Sequence, residues 1–527
     1  MIRAAEHTRI ARTTIVAISA TGLLITTFAG ASDVPVLGAA VRDPTVTDGC
    51  PVRSATIAAG ASVVADSPVQ VNVDDTGVNI VGDAANEPTL AVDPTAPNRM
   101  VVAWRQFDDV THSHRTAGWA TSNDGGRSWR FHGSIDGDTF RTDPVLDADD
   151  SGRFYYMGLA EGNESCDLFL SDDGGSSWSD AIPAFGGDKE WMAVDGERRH
   201  VYASWSDSIG CCGPRIFTRS LDGGASFSEP VAIEPAPSLG TVSVGPDGEV
   251  YVAGITENLD DFVVARSSNA SDPDTEPTFD IAHVDLGGLF WILIPPNPYG
   301  LAGQVWIAAD TSAGPRRGNL YLACSVVPRG SDDPMDLHFA RSVDGGESWS
   351  DPVAVASDDR GAWQWFGTMS VAPTGRIDLV WVETLDAAEP SIGDIRSSSS
   401  DDGGDTWSAP TAISEPFDSL IGQPPDEKIG DYFHMRSDAL GADLAFAATF
   451  NGEQDIYFVR IGPRDCNGNH VPDADDLAAA TSPDCNRNDI PDECDLAAGL
   501  SADSDGNGVP DECRPPAPRR ATGRVGG

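Results

Sequence analysis

The chain has 527 residues, with 82 acidic side chains against 34 basic ones, and its formal net charge is −48. This excess of negative charge argues against nucleic acid or an anionic membrane as a partner, because binding either requires clustered lysines and arginines. It is compatible with divalent cations or with solubility in extracellular or salty water. Hydrophobic residues make up 40% of the chain and 13 residues are tryptophan, so the composition predicts a folded core.

The first 31 residues have the pattern of a secretory signal peptide. Arginines lie near the start, an uncharged stretch follows from Thr13 to Phe28, and Ala29-Gly30-Ala31 provides the small residues of a cleavage site. A transmembrane anchor is the alternative, but the apolar stretch is short and rich in Thr, Ser and Gly. We therefore expect an exported protein, secreted or at the cell surface, in which disulfides form. Residues 32–83 are interpreted as an N-terminal extension or linker.

An eight-residue motif, S-x-D-G-G-x-S/T-W, occurs five times in the middle of the chain, once with Phe as its last residue. The aspartate is suited to bonding amides of a turn, the glycines to positive φ, and the aromatic residue to packing into a core. The motif therefore predicts a structural hairpin turn. The copies begin at Ser122, Ser171, Ser220, Ser342 and Ser400.

Each motif follows a pair of β-rich segments, and further pairs occur without an intact motif near residues 241–279 and 435–460. The result is about seven units of about 50 to 65 residues each. Such a period, with several short strands per unit, predicts an all-β, six- or seven-bladed β-propeller over residues 84–462. Seven blades are favoured, and six blades with a closing strand are the alternative.

The S-x-D-G-G-x-S/T-W motif is the Asp box of sialidases, so the chain resembles the sialidase-like, Asp-box (BNR-repeat) β-propeller superfamily over about residues 84–462. Four further segments resemble a secreted bacterial branch that is often labelled exo-α-sialidase. These segments are Gly82–Pro88, Trp104–Phe107, Asp188–Trp191 and Gly430–Tyr432. The resemblance implies action on, or binding of, extracellular glycans, although propellers with Asp boxes also include receptors, assembly factors and glycan binders.

Sialidases of this superfamily use an arginine triad, a Tyr/Glu nucleophile pair and an Asp acid/base, and they usually carry an early Arg-Ile-Pro motif. The nearest string here, Leu293-Ile-Pro-Pro296, lacks the arginine. No position of the triad is therefore assigned by motif.

Ligands of propellers bind at the mouth of the central channel, which is lined by the residues that lead into each innermost strand. Polar residues at those places include both lysines of the chain, Lys189 and Lys428. The predicted substrate-binding residues are Arg105, Arg141 and Lys189 for a carboxylate or sulfate, and Trp363 and Trp365 for a sugar ring. The predicted catalytic residues are Asp188 or Glu190 as acid/base, and Tyr432 beside Asp431 as nucleophile or ligand. The structural alternative is that these charges tie neighbouring blades together and that the tryptophans are core residues.

After Pro463, three units follow with a period of 19 residues. Oxygen-bearing side chains occupy loop positions 1, 3, 5, 9 and 12, the spacing that wraps a calcium ion. The units resemble dockerin or thrombospondin type-3 calcium repeats. Position 12 of the third unit is Arg514, so we expect the third loop to be the weakest unless Glu512 substitutes. The predicted ligands are Asp465, Asn467, Asn469, Asp473, Asp476, Asp484, Asn486, Asn488, Asp492, Asp495, Asp503, Asp505, Asn507 and Asp511. Residues 514–527 are expected to be a disordered tail.

Four of the nine cysteines lie in these repeats, at position 2 or position 11 of a unit. Pairing position 2 of one unit with position 11 of the next uses all four, as Cys466–Cys494 and Cys485–Cys513. The other five are odd in number, so at least one is free or intermolecular. The adjacent residues Cys211 and Cys212 are candidates for a vicinal bridge.

Two functions follow as hypotheses. The first is a secreted, glycan-directed, sialidase-like protein. If it is an enzyme, the expected activity is that of a glycoside hydrolase of the sialidase type. The second is a non-catalytic propeller that binds glycans or proteins, with the calcium repeats as a stalk or docking module. Convergence of three arginines opposite a Tyr/acid pair would favour the first.

Overall fold

The computed structural model describes residues 13–19, 22–28, 52–58, 64–160, 165–356, 361–424 and 428–513. In the predicted signal segment, Thr13–Ser19 pairs with Gly22–Phe28 as an antiparallel ribbon, within a unit of its own that ends at Cys50. The other residues of that segment, the predicted cleavage site and the predicted tail 514–527 lie outside the described residues. The rest of the fold belongs to the second unit, Pro51–Gly527.

Seven antiparallel sheets, here called blades 1 to 7, follow one another along the second unit. The strands of blades 1 to 4, from the inner to the outer edge, are Ala84–Val92, Met100–Phe107, Thr116–Ser122 and Arg130–Ser134; Arg141–Ala148, Phe154–Ala160, Ser165–Ser171 and Ile182–Phe185; Trp191–Asp195, His200–Ser204, Arg215–Ser220 and Val231–Ala232; and Val242–Val244, Val250–Ile255, Phe262–Ser267 and Asp280–Val284. Those of blades 5 to 7 are Trp306–Ala309, Leu320–Pro328, Asp336–Ser342 and Val353–Ala356; Gln364–Val371, Ile377–Thr384, Ile392–Ser400 and Thr411–Ala412; and His434–Ser437, Ala442–Ala448, Asp455–Ile461 and Val69–Gln70.

The seven blades form a closed ring. The inner strand of each blade contacts that of the next, and the inner strand of blade 7 contacts that of blade 1. Each blade packs between two others, so its second strand is largely buried on both faces and its sequence lacks the regular apolar–polar alternation of a half-exposed strand. The strands Met100–Phe107, Ile377–Thr384 and Ala442–Ala448 are buried along their whole length. The predicted all-β propeller is confirmed, with seven blades.

The N-terminal extension adds strands to three consecutive blades. Arg53–Ser54 pairs in parallel with the outer strand of blade 5, and Thr56–Ile57 pairs in parallel with Thr406–Trp407 of blade 6. Val69–Gln70 then forms the outermost strand of blade 7, antiparallel to Asp455–Ile461. The beginning of this unit therefore closes its last blade.

A hairpin is inserted between blades 4 and 5, with strands Ile292–Ile294 and Asn297–Leu301. The Asn297 side chain donates a hydrogen bond of 2.9 Å to the Gly430 carbonyl, which fixes the hairpin against the segment leading into blade 7. Two short strands, Gly288–Leu289 and Phe417–Asp418, pair with blades 5 and 6.

The repeated motif forms the predicted turn. In blade 1, Ser122 Oγ donates to Asp124 Oδ1 at 2.7 Å, and the amides of Gly126 and Ser128 donate to Ser122 Oγ and Asp124 Oδ1, both at 2.9 Å. The same network recurs in blades 2, 3, 5 and 6. The motif aspartates are therefore held by the turns themselves.

Blade 4 contains the same turn, although its sequence does not match the motif. Asn269 stands in for the aspartate, since its Oδ1 accepts from Ser267 Oγ at 3.1 Å and from the Thr278 amide at 2.9 Å. Phe279 takes the place of the tryptophan and packs edge-on against Phe217, with ring centroids 5.0 Å apart. An insertion between Asn269 and Thr278 conceals the pattern in the sequence.

The C-terminal repeats form loops that end in short helices, Asp473–Ala479, Asp492–Ala498 and the 3-10 turn Asp511–Cys513. The disulfides Cys466–Cys494 and Cys485–Cys513 join successive units as predicted. Cys211 and Cys212 are also bridged. Cys166 and Cys324 are buried free thiols, and Cys50 lies outside the described residues. Over the ranges given above, no helix has the length and apolar character needed to cross a membrane.

Candidate functional site

Each blade has a residue with positive φ where its inner strand begins or just before it. These residues are Glu87 (54°), Asp143 (50°), Lys189 (58°), Leu239 (59°), Gly303 (123°), Phe366 (55°) and Gly430 (102°). In blades 1, 2 and 6 the residue lies at a break in strand register, where a bulge redirects a side chain. For a residue other than glycine, this conformation costs about 1 kcal/mol or more and is concentrated at functional sites. This residue is charged in blades 1 to 3 and uncharged in blades 4 to 7. Charged side chains are therefore concentrated on one side of the ring.

Five charged side chains, here called the mouth cluster, meet at the charged side of this ring. Lys428 Nζ lies 3.0 Å from Glu87 Oε1 and 2.5 Å from Asp431 Oδ2. Lys189 Nζ lies 3.0 Å from the same Asp431 oxygen and 3.4 Å from Asp143 Oδ2. Asp431 thus shares Lys428 with Glu87 and shares Lys189 with Asp143. The mouth cluster therefore links blades 1, 2, 3 and 7.

The lysines favour the ionised form of two carboxylates of the mouth cluster, Asp431 and Asp143. Burial alone would raise the pKa of Asp431, but Lys428 and Lys189 bring it below the ordinary value. Burial likewise opposes ionisation of Asp143, but the positive charge of Lys189 lowers its pKa below the ordinary value. Conversely, burial disfavours the charge on Lys189, but the carboxylates of Asp143, Asp188 and Asp431 raise its pKa well above the usual range. The site therefore keeps positive and negative charges side by side at neutral pH.

A cleft of about 330 Å³ opens beside the mouth cluster. Its lining residues are Arg105, Arg115, Phe140, Thr142, Asp143, Leu159, Ala160, Asp188, Lys189, Ile209 and Lys428. Arg105 Nε donates to Asn86 Oδ1 at 2.7 Å, and the Arg115 guanidinium lies over the Phe140 ring, 4.9 Å from its centroid. Both lysines of the chain and two arginines thus surround one cleft, in a protein with net charge −48.

Asp188 and Glu190 flank Lys189 but differ in environment. Asp188 lines the cleft, with Oδ1 3.0 Å from Lys189 Nζ and a side chain that is 30% exposed. Glu190 is buried beside the Cys166 thiol. Burial, and then the negative charge of Asp143, raise the pKa of Glu190 well above its ordinary value. Asp188 is thus placed to accept hydrogen bonds from a ligand, whereas burial favours the neutral form of Glu190 by raising its pKa.

Tyr432 is buried in a cluster of aromatic side chains that includes Trp191 and Trp306 from the inner strands of blades 3 and 5. Its hydroxyl donates to the Pro144 carbonyl at 3.2 Å, and burial raises its pKa well above the ordinary value. Its ring meets that of Trp191 edge-on at 5.6 Å, and Trp191 meets Trp306 in the same way at 5.1 Å. His434 stacks on Trp306 and accepts a hydrogen bond from the Leu90 amide. In this arrangement Tyr432 is a packed core residue.

Three predicted substrate-binding residues lie outside the lining of the cleft. Arg141 is paired at 2.8 Å with each of Asp136 and Asp167. Trp365 is only 1% exposed and lies in the core. Trp363 is half-buried and packs against the same core cluster. The structure thus brings together Arg105, Asp188, Lys189 and Asp431, and leaves Arg141 and both tryptophans elsewhere.

Sequence reasoning missed Arg115, Phe140 and Ile209. Arg115 and Ile209 lie between the second and third strands of blades 1 and 3, and Phe140 directly precedes the inner strand of blade 2. In an antiparallel blade, the loop between the second and third strands lies at the same end as the start of the first. A search of both kinds of segment for basic and aromatic residues would have found Arg115 and Phe140, whereas Ile209 carries no such signal.

The C-terminal loops bring oxygen-bearing side chains together in a repeated way. In the first loop, Asp465 accepts from the His470 amide at 2.7 Å, and the Asn469 side chain donates to Asp476 Oδ2 at 2.7 Å. In the second loop, Asn486 and Asn488 donate to Asp495 at 2.8 and 3.0 Å. In each of the first two loops, positions 1, 3, 5 and 12 therefore provide two carboxylates and two amides, which is oxygen chemistry that suits calcium.

The residues at loop position 9 behave differently. Asp473 accepts from the Cys466 amide at 2.8 Å, and Asp492 accepts from the Cys485 amide at 2.9 Å. These predicted ligands cap the start of their own loops. In the third loop, Asp503 accepts from the Asn507 and Gly508 amides, Asp511 accepts from Ser504, and Arg514 lies outside the described residues. The first two loops are therefore the better candidate sites.

Comparison with known proteins adds fold neighbours but no family. No protein-family model matches the chain, and no curated protein does. A protein of unknown function from Dyadobacter fermentans DSM 18053 is 15% identical, with a TM-score of 0.44, over 76% of this chain and 99% of its own. The Hadza microbial sialidase Hz136 is 14% identical, with a TM-score of 0.38, over 71% of this chain and 65% of its own.

The intramolecular trans-sialidase of leech, solved with 2,7-anhydro-Neu5Ac, is 11% identical, with a TM-score of 0.41, over 68% of this chain and 71% of its own. At such low identities and scores, these structures say nothing about the chemistry at the mouth of this propeller. That chemistry has to be derived from the residues of this chain.

Proposed function

We propose that this propeller binds an acidic sugar of an extracellular glycan in the cleft beside the mouth cluster. The observation that carries the proposal is the gathering of four cationic side chains around one cleft in a chain of net charge −48. A surface this acidic repels anions, whereas the residues that line this cleft carry four positive charges against the two negative charges of Asp143 and Asp188, which favours an anion there. The cationic residues are Arg105, Arg115, Lys189 and Lys428.

The remaining lining suits a sugar. Asp143 and Asp188 are acceptors for hydroxyl groups, Arg115 presents a planar fork that matches a carboxylate, and Phe140 and Ile209 supply apolar surface. A volume of about 330 Å³ is at the small end for ligand pockets, which suits one or two sugar rings.

Binding is favoured over sialidase-type hydrolysis for two reasons. The described lining of the cleft holds two arginines rather than three, and the Tyr432 hydroxyl is buried and bonded to a backbone carbonyl. Hydrolysis is the second candidate, because Glu190 follows the cleft residue Lys189 and has a raised pKa, as a proton donor requires, although Glu190 is not itself among the residues that line the cleft. Asp188 would then be the second carboxylate.

The test is calorimetric titration with N-acetylneuraminic acid, glucuronic acid and galacturonic acid, with galactose as the neutral comparison. Arg115→Gln is expected to weaken binding of the acidic sugar by about tenfold or more, as loss of a charged hydrogen bond does. Arg317→Gln, at an exposed arginine between the first two strands of blade 5, is the matched control and is expected to bind normally. Equal binding of galactose, or no binding of any acidic sugar, would refute the proposal. Turnover of a fluorogenic sialoside or uronide that is lost in Glu190→Gln would favour hydrolysis instead.

We also propose that the protein is exported, as a secreted or cell-surface protein, and that its C-terminal repeats hold calcium and dock to a partner. Three disulfides within one chain support an oxidising compartment. N-terminal sequencing of the exported protein is expected to begin at Ser32. Retention of residues 1–31 would contradict cleavage.

A further inference from the structure

The segment that leads into blade 3 is strained. Three of its five residues, Phe185, Gly186 and Lys189, have positive φ, at 60°, 142° and 58°. Its last two residues, Asp188 and Lys189, both line the cleft. Backbone in such conformations persists only where the surroundings fix it. The positions of Asp188 and Lys189 therefore depend on the contacts that fix the backbone of this segment.

A loop of blade 3 holds it by strand-like pairing. The Asp188 amide donates to the Ile209 carbonyl at 2.7 Å, and the Cys211 amide donates to the Gly186 carbonyl at 3.0 Å. Between these bonds, Gly187 and Gly210 form a β-bridge. Ile209 itself lines the cleft, so this pairing places residues of both strands at the site.

The pairing is too close to admit side chains. A Cβ on Gly187 would lie 2.4 Å from the Ile209 carbonyl oxygen and 2.5 Å from the Trp205 ring. A Cβ on Gly210 would lie 2.8 Å from the Trp205 ring. The loop is therefore seated tightly on the segment, and small changes in its backbone are transmitted to Asp188.

The disulfide between Cys211 and Cys212 lies where this pairing ends. Cys211 is exposed, whereas Cys212 packs against the main core cluster. A bridge between neighbouring residues closes a small covalent ring around their peptide bond, which restricts the backbone there. The bridge thus anchors the end of the loop that pairs with Gly186.

We propose that the Cys211–Cys212 disulfide is a positioning element of the cleft, and that its reduction by a dithiol loosens Asp188 and Ile209. The expected effect of the disulfide on ligand binding rests on the proposed function. The chemistry is thiol–disulfide exchange. A thiolate of the dithiol attacks the exposed Cys211 sulfur, and the Cys212 sulfur leaves as a thiolate. The second thiol then displaces Cys211, so the two cysteines gain two electrons and two protons while the dithiol becomes its own disulfide.

The first measurement does not involve a ligand. Hydrogen exchange is followed in the full chain, in wild type and in C211S/C212S, with C485S/C513S as the control that lacks a different disulfide. We expect the amides of Asp188 and of residue 211 to exchange at least about tenfold faster in C211S/C212S, after correction for the intrinsic rate of serine at 211, and at the wild-type rate in the control. Unchanged exchange at both amides would overturn the proposal.

The second measurement is titration with the acidic sugars. C211S/C212S is expected to bind about tenfold more weakly, while C485S/C513S binds as wild type does. If wild type binds none of the sugars, the proposed function fails and hydrogen exchange alone decides the role of the disulfide. If C211S/C212S does not fold, wild type is treated with dithiothreitol, the reduced cysteines are identified by mass spectrometry, and exchange at Asp188 and Cys211 is compared before and after. Faster exchange only when Cys211 and Cys212 are reduced supports the proposal, and no difference refutes it.

Discussion

Lys189 and Lys428 approach the same carboxylate oxygen, that of Asp431, from different blades, at 3.0 and 2.5 Å. No other lysine occurs in the sequence. Buried charges are tolerated only when each has an opposite partner, and removal of one partner leaves the others uncompensated. Asp431 is therefore the link through which blades 3 and 7 are held together across the mouth.

Replacement of Asp431 by asparagine is expected to destabilise the protein by about 3 kcal/mol, because it removes the shared partner of two buried ammonium groups. The measurement is urea unfolding followed by tryptophan fluorescence. Asp172→Asn is the control, since Asp172 pairs with Arg153 but its side chain is 72% exposed. That change is expected to cost less than about 1 kcal/mol. Similar losses in the two variants would contradict a special role for Asp431.

The contribution of Asp83 to the stability of wild type is expected to fall between about pH 4 and pH 7. Burial raises the pKa of Asp83 to about 7, aided by the charge of Asp455, against hydrogen bonds from Gln106 and Asn72. As pH rises, the unfolded carboxyl ionises first, near 3.8, so the unfolded state gains stability until the folded carboxyl also ionises near 7.

Asp83→Asn removes this ionisation. We expect the variant to match wild type near pH 4 and to exceed its stability by about 2 kcal/mol at pH 8. Thermal unfolding at a series of pH values measures the difference. Asp180→Asn, at an exposed position, serves as the control. A difference between Asp83→Asn and wild type that does not grow with pH would show that Asp83 is ionised throughout.

The concealed turn of blade 4 is expected to matter as much as the regular ones. Asp402 accepts three hydrogen bonds from Ser400 and Thr406, and Asn269 accepts from Ser267 and Thr278. Loss of such an acceptor leaves turn amides unpaired, so Asp402→Ala and Asn269→Ala should each cost about 2 kcal/mol.

Chemical denaturation provides these values, with Ser268→Ala as the control at an exposed neighbour of Asn269. If Asn269→Ala lowers the free energy of unfolding no more than Ser268→Ala does, the turn of blade 4 does not contribute to stability as the regular turns do.

Calcium is expected to bind the first two C-terminal loops more tightly than the third. Asp495→Asn removes the carboxylate that faces Asn486 and Asn488, and it should weaken one site by about tenfold or more. Calorimetric titration with calcium measures the number and strength of sites. Asp475→Asn changes an exposed acid that is not among the predicted ligands, and it should leave both sites intact.

Limited proteolysis gives the second readout for the repeats. Chelation is expected to speed cleavage within residues 465–513 while the propeller stays resistant, because the loops would lose the cation that orders them. Protection that is the same with and without chelator would mean that the disulfides alone order this region.

The repeated motif made the fold predictable, because a turn that recurs with fixed spacing reports the period of the blades directly. The disulfide pairing was predictable for a similar reason, since position 2 and position 11 recur in register. Blade 4 was harder to recognise, because Asn269 replaces the aspartate and an insertion separates it from Thr278. The motif can therefore be recognised in the sequence only where no insertion separates its residues.

The site was predictable in part. Lys189 and Asp188 followed from their place before an inner strand, but the burial of Tyr432 depends on how Trp191 and Pro144, from other blades, pack around it. Arg115 reaches the cleft only because one end of each blade faces the mouth. Such neighbours are set by closure of the ring, which the order of residues along a single blade does not encode.

The strand Val69–Gln70 closes blade 7, and nearby Asn72 bonds Asp455, a residue 383 positions later, at 2.5 Å. On a ribosome working at about 5 to 20 residues per second, that partner emerges roughly 20 to 80 s after Asn72 does. During this interval the N-terminal strand has no native partner and has to be kept from pairing with other chains. The strand Val69–Gln70 is therefore made before the blade that it completes, and a chain cut before blade 7 would leave this strand unpaired and the ring open.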